Sequence, residues 1–139
     1  MEPITLPGNL DSLRAIADYV MAAATAANLN KKAAYNLRLA VDEIATNIIT
    51  HGYQATGLSG EFKLQADIDE ETLTISIEDT APLFDPTQIF PPENLNLSLE
   101  EREIGGLGVY LAVQGVDRFL YQQVENRNRN IFIVNRKTS

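Results

Sequence analysis

The sequence predicts an α+β sandwich of two layers, a mixed but mostly antiparallel sheet with helices on one face. Three observations carry that expectation. Residues 13–51 place apolar side chains at helical spacing, and residues 61–77 switch to alternation. The last part of the chain then joins one more apolar helix to two further strand-like runs around a polar turn.

Ile4-Thr5-Leu6-Pro7 alternates briefly and is stopped by Pro7-Gly8, which reads as an edge strand. Asn9 or Asp11 can cap the helix that follows. Leu13, Ile16, Ala17, Val20 and Ala24 form its apolar stripe, and Asn28-Leu29-Asn30 ends it. Asn30 is suited to cap a second helix, expected from about residue 31 to residue 51 and stopped by Gly52. Phe62, Leu64, Ala66 and Ile68 then alternate with Lys63, Gln65 and Asp67. After the turn Asp69-Glu70-Glu71 the alternation resumes at Leu73, Ile75 and Ile77. These runs predict an antiparallel hairpin with one face against the helices.

Residues 79–104 show little periodicity and hold four of the six prolines, as a lid, a binding loop or a disordered stretch would. Gly105-Gly106-Leu107-Gly108 opens an apolar helix through Val109, Leu111, Ala112 and Val113. Two strands, 118–124 and 130–136, are expected around a polar turn at 125–129.

At 139 residues the chain fits one domain spanning residues 1–139, long enough to bury roughly two-thirds of its unfolded surface. The net charge of −8 makes it a poor ligand for the nucleic-acid backbone, which calls for clustered Lys and Arg. With no cysteine and one histidine, thiolate chemistry, disulfides and multi-histidine metal sites are excluded. Met1-Glu2-Pro3 lacks the features of a signal peptide, and no apolar run is long enough to span a bilayer. A cytoplasmic domain without membrane or nucleic-acid partners is expected.

Three clusters could carry chemistry. On the second helix, Leu37, Val41, Ile44 and Ile48 make the buried stripe, and Glu43, Asn47 and His51 recur every four residues beside it. A carboxylate, a carboxamide and an imidazole in one row suit a site, and equally a solvated helix face. Asp79 ends an apolar strand, either poised over the mouth of the core or simply starting a turn. Gly105-Gly106-Leu107-Gly108 lets backbone amides approach an anion at a helix N-terminus, or serves as a hinge or a close-packing point.

Together, Glu43-Ile44-Ala45-Thr46-Asn47 through His51-Gly52-Tyr53, Asp79 with Phe84-Asp85-Pro86, and Gly105-Gly106-Leu107-Gly108 resemble the boxes of the GHKL ATPase family. Val116-Asp117-Arg118 through Tyr121 and Asn130-Ile131-Phe132-Ile133 also fit, so the resemblance spans nearly the whole chain. Within that family the chain is most similar to the small bacterial serine/threonine kinases that act as anti-sigma factors in partner-switching modules.

The resemblance implies a single ATP-binding kinase domain of the Bergerat fold that uses ATP and Mg²⁺. Asn47 would offer its side-chain oxygen to Mg²⁺. Asp79 would accept from the adenine amino group. Gly105, Gly106, Leu107 and Gly108 would line the phosphates, and Glu43 would be the general base for a substrate serine. Arg102 would reach the terminal phosphate or else pair with Glu101 or Glu103, and His51 would be structural. The implied partners are a STAS-domain antagonist, a sigma factor or other output protein, and a second copy in a homodimer.

Two departures matter. Ala81 stands where many members have glycine, so either the turn differs or the base sits differently. There is also no phosphoacceptor-histidine helix, unlike a complete sensor histidine kinase. The other function class left open is a non-catalytic module of the same fold that sequesters a partner. A third reading is the catalytic domain of a phosphorelay.

Overall fold

The computed structural model describes residues 1–89 and 106–136. Its elements are β1 (Ile4–Pro7), α1 (Leu13–Ala26), α2 (Lys31–Asn47), β2 (Glu61–Ile68), β3 (Thr72–Asp79), α3 (Gly106–Val113), β4 (Arg118–Val124) and β5 (Arg127–Asn135). The strands form one five-stranded sheet in the order β1-β2-β3-β5-β4. Among the described residues every pairing is antiparallel, without the mixed component expected from the sequence. β1 is the expected edge strand.

Alternation decides which side of the sheet is covered. Phe62, Leu64 and Ala66 of β2, Leu73, Ile75 and Ile77 of β3, and Phe132 and Val134 of β5 are buried in one core. The helices complete it with Ile16, Val20, Leu37, Val41 and Ile44 and, from α3, Val109, Ala112 and Val113. The intervening residues of β3 and β5, among them Ser76, Glu78, Arg129 and Ile131, are half-buried on the other face.

Tyr19 joins the core from α1, where the stripe was expected to run through Leu13 and Ala17; both of those are only half-buried. Its hydroxyl donates to the Glu2 carbonyl (2.9 Å) and accepts from the Ala66 amide (3.0 Å), tying α1 to the first strands. Burial raises the Tyr19 pKa above the usual phenol value, which keeps the hydroxyl a donor.

The Asn30 cap forms as expected, its side chain accepting from the Ala33 amide at 2.8 Å. Neither Asn9 nor Asp11 caps α1. A short 3-10 turn over Leu10–Ser12 leads into that helix instead, and Ser12 turns back to donate to the Pro7 carbonyl at 2.6 Å.

Two further expectations are corrected. The second helix does not stop at Gly52. It widens into a π-type turn over Ile48–Gln54, with the Ala55 amide reaching back five residues to the Thr50 carbonyl at 3.1 Å. Wider turns rotate the apolar face, so Ile49 and Tyr53 are buried and Ile48 is only half-buried. The last hairpin is also tighter than expected. Glu125 and Asn126, at φ 52° and 65°, make a two-residue turn, and β5 begins at Arg127 rather than at residue 130. No helix among the described residues is long and apolar enough to cross a membrane.

Candidate functional site

The shortened hairpin turn puts Asn128 directly opposite Asp79 across β3 and β5. Both side chains face the helical layer and are almost wholly buried, at 3% and 1% exposure. Asp79 Oδ1 accepts from Asn128 Nδ2 at 2.9 Å and from the Ala81 amide at 3.0 Å. Its other oxygen, Oδ2, is buried and has no hydrogen-bond partner among the described residues. Burial pushes the Asp79 carboxyl up to about 6, against the opposing pull of the bonds from Asn128 and Ala81.

Asn128 holds the site's loop as well as its acid. Its Nδ2 also lies within bonding distance of the Ala81 and Pro82 carbonyls, at 3.2 and 3.3 Å. Its Oδ1 accepts from the Phe84 amide at 3.0 Å and from the Tyr121 hydroxyl. Burial raises the Tyr121 pKa, keeping that hydroxyl protonated as a donor. Two residues further along β5, Asn130 is buried on the same side, and its Oδ1 also lacks a partner among the described residues.

A buried acceptor without a donor is costly, at about 1–3 kcal/mol each. Two such acceptors on one side of adjacent strands would be satisfied by a ligand that brings N–H groups.

The second helix is bound to this strand end. The Tyr53 hydroxyl accepts from the Thr80 amide at 2.9 Å and lies 3.2 Å from both the Glu61 carbonyl and Thr80 Oγ1. A methyl group on Gly60 would come within 2.6 Å of that hydroxyl, so glycine leaves room for it. Gly52 serves Ala81 in the same way, since a Cβ there would lie 2.8 Å from the Ala81 methyl.

Ala81 itself is buried and is not among the residues with positive φ. The turn after Asp79 therefore differs from one that needs glycine, and the methyl group packs into space that Gly52 leaves. Asp85 opens the next turn by accepting from the amide and hydroxyl of Thr87, at 2.8 and 2.6 Å.

Glu43 and Asn47 lie in the last two turns of α2, both half-buried, and among the described residues no hydrogen bond or ion pair engages either side chain. α3 packs against α2 and begins at Gly106, so Gly106, Leu107 and Gly108 form its first turn. The polar row and the strand-end acid thus border α2 or its continuation. Arg102 and Gly105 lie outside the described residues. His51 is exposed in the π-type turn and carries no structural hydrogen bond or ion pair among the described residues. No group of three or more His, Cys, Asp or Glu among the described residues could hold a metal ion.

The sequence reading missed Asn128, whose polar neighbours from Glu125 to Arg129 looked like a turn. It also missed Tyr53 and Thr80 as parts of the site. A signal was present in Glu125-Asn126, a pair able to make a tight left-handed turn and so to extend β5.

The family of histidine kinase-like ATPase domains matches this chain over residues 6–134. The chain belongs to that family. This ATPase domain is similar to the serine-protein kinase RsbW of Bacillus licheniformis, at 30% identity over 79 residues, or 55% of this chain and 49% of that protein. The matched region thus spans about half the length of that relative. In fold it resembles the histidine kinase domain of the blue-light activated histidine kinase from Erythrobacter litoralis EL346. The TM-score is 0.55 at 17% identity, over 89% of this chain and 59% of the other.

Proposed function

We propose that this domain is a Mg²⁺-ATP-dependent protein serine/threonine kinase, acting as an anti-sigma factor that phosphorylates a STAS-type antagonist. The observation that carries the reading is the unpartnered Oδ2 of Asp79, a buried acceptor whose sister oxygen is fixed by Asn128 and Ala81. Such an acceptor suits the exocyclic amino group of adenine. The family, and the likeness to a serine-protein kinase, support the rest.

Asn47 would ligate Mg²⁺, which keeps several waters and binds chiefly through the nucleotide's phosphates. Amides of Gly105, Gly106, Leu107 and Gly108 would hold the phosphates at the start of α3, with Arg102 on the terminal one. The Glu43 carboxylate would take the proton of the substrate serine as the serine oxygen bonds the γ-phosphorus and the bridging P–O bond to ADP breaks.

Calorimetric titration of ATP, with and without Mg²⁺, tests the site. The native chain is expected to bind only weakly without Mg²⁺, and Asp79→Ala to bind not at all. Glu43→Ala should keep binding and lose phosphoryl transfer to a serine. Failure of the native chain to bind ATP would overturn the reading and leave a partner-sequestering module. Phosphate on an acid-labile histidine would instead identify a phosphorelay domain.

A further inference from the structure

At the other end of the helical layer, α1 and α2 line a groove of about 410 Å³. Ala24 and Ala34 form its floor, and their small side chains keep it open. Met21 and Tyr35 stand on its two walls, 37% and 60% exposed, and Leu29 closes the end at the helix–helix turn. Leu39, one turn beyond Tyr35 on α2, adds another exposed apolar side chain.

The rim is cationic. Lys31 and Arg38 line the groove, and Lys32 is exposed beside Lys31. Three of the eleven Lys and Arg residues of a chain with net charge −8 thus gather within eight positions. None of the three forms an ion pair among the described residues. The nearest carboxylates on these helices, Asp18 and Asp42, come one turn before Met21 and one turn after Arg38. Both therefore lie beyond the end of the groove that faces away from the helix–helix turn.

We propose that this groove docks an acidic amphipathic helix of a partner protein, with one apolar side chain seated between Met21 and Tyr35 and carboxylates over Lys31 and Arg38. A groove between two helices over small residues offers a third helix a ridge-and-groove seat. The local charge, opposite to that of the whole chain, selects an acidic partner and disfavours a second copy of this chain. The surface stands apart from the nucleotide reading. Arg38 and Asn47 are about 14 Å apart along α2, nine residues on, so the two sites can be disturbed separately.

The test uses the full chain and a synthetic helical peptide with leucine and phenylalanine on one face and glutamate on the other. A matched peptide carries lysine in place of glutamate. Fluorescence anisotropy is expected to detect binding of the acidic peptide alone, and amide shifts to map it to Met21, Thr25 and Tyr35. Lys31→Glu with Arg38→Glu should weaken the acidic peptide about tenfold or more and confer binding of the lysine peptide. Both changes are on exposed side chains, and circular dichroism checks that the fold persists. Equal binding of the two peptides would overturn the proposal, as would self-association lost in Tyr35→Asp. Binding of anionic vesicles without the acidic peptide would overturn it too.

Discussion

At the scale of single residues, Asp79 concentrates the chemistry. Its carboxyl rises from the ordinary aspartate value of 3.8 to about 6 because ionising it means burying a charge with one oxygen unsatisfied. The folded state therefore binds the proton more tightly than the unfolded chain does. Stability from this group is complete below pH 4 and is lost as pH rises to about 6 and beyond. The shift corresponds to about 3 kcal/mol above pH 7. Asp79→Asn keeps an oxygen for Asn128 and Ala81 but presents an N–H where Oδ2 was. Urea unfolding should find the variant matching the native chain near pH 3 and exceeding it by up to about 3 kcal/mol at pH 8. The same variant should not bind ATP at any pH, because two donors would face each other. The native chain's affinity should fall below pH 6 as Asp79 protonates. Parallel pH profiles for the two proteins would refute the assignment.

At the scale of elements, the fit between the π-type turn and the end of β3 rests on one methyl group. Gly52→Ala would bring a second methyl to 2.8 Å from Ala81 and push the turn away from the strand. A loss of about 1–3 kcal/mol is expected, as for other overpacked contacts. Ala81→Gly in the same chain should recover most of it, and a double-mutant cycle in urea measures that coupling. An uncoupled pair would mean that the two elements do not meet there.

This contact also marks where the sequence stops being readable. Periods of 3.6 and 2 reveal α1, α2 and the β2–β3 hairpin, because each buries a single face. The π-type turn escapes because Ile48 and Ile49 are both apolar, and either could continue the stripe. The start of β5 escapes for the opposite reason: Arg127, Asn128 and Arg129 are polar as a loop is polar. Asn128 is polar because it faces Asp79, 49 residues away in sequence. The acid itself was legible from its place at the end of an apolar strand. Its partner is defined only by strand register.

At the scale of the whole molecule, besides the Tyr19 bonds to the first strands, polar clamps join helices and sheet at opposite ends of β5. Asp79 pairs with Asn128 and Thr72 with Asn135, so the clamped ends lie about 24 Å apart along β5. At the Asp79 end, Tyr53 bonds Thr80 and Glu61. At the far end, Arg136 donates from Nε to the Ala27 carbonyl at 2.8 Å and from Nη1 to the Asp69 carbonyl, while its amide bonds the Glu71 carbonyl at 2.8 Å. It thereby holds the end of α1 to the β2–β3 turn. Tyr53→Phe and Arg136→Ala each remove hydrogen bonds between the layers, and each should cost about 1–3 kcal/mol in urea unfolding. Their effects on the ligand should differ. Tyr53→Phe strips the acceptor from the Thr80 amide, next to Asp79, and frees the strand end that aims Oδ2. Arg136→Ala loosens only the far end. ATP titration should therefore find weaker binding in Tyr53→Phe and native affinity in Arg136→Ala at equal loss of stability. Equal weakening in both would mean that affinity follows global stability and that the clamp beside Asp79 has no special part in orienting the acid.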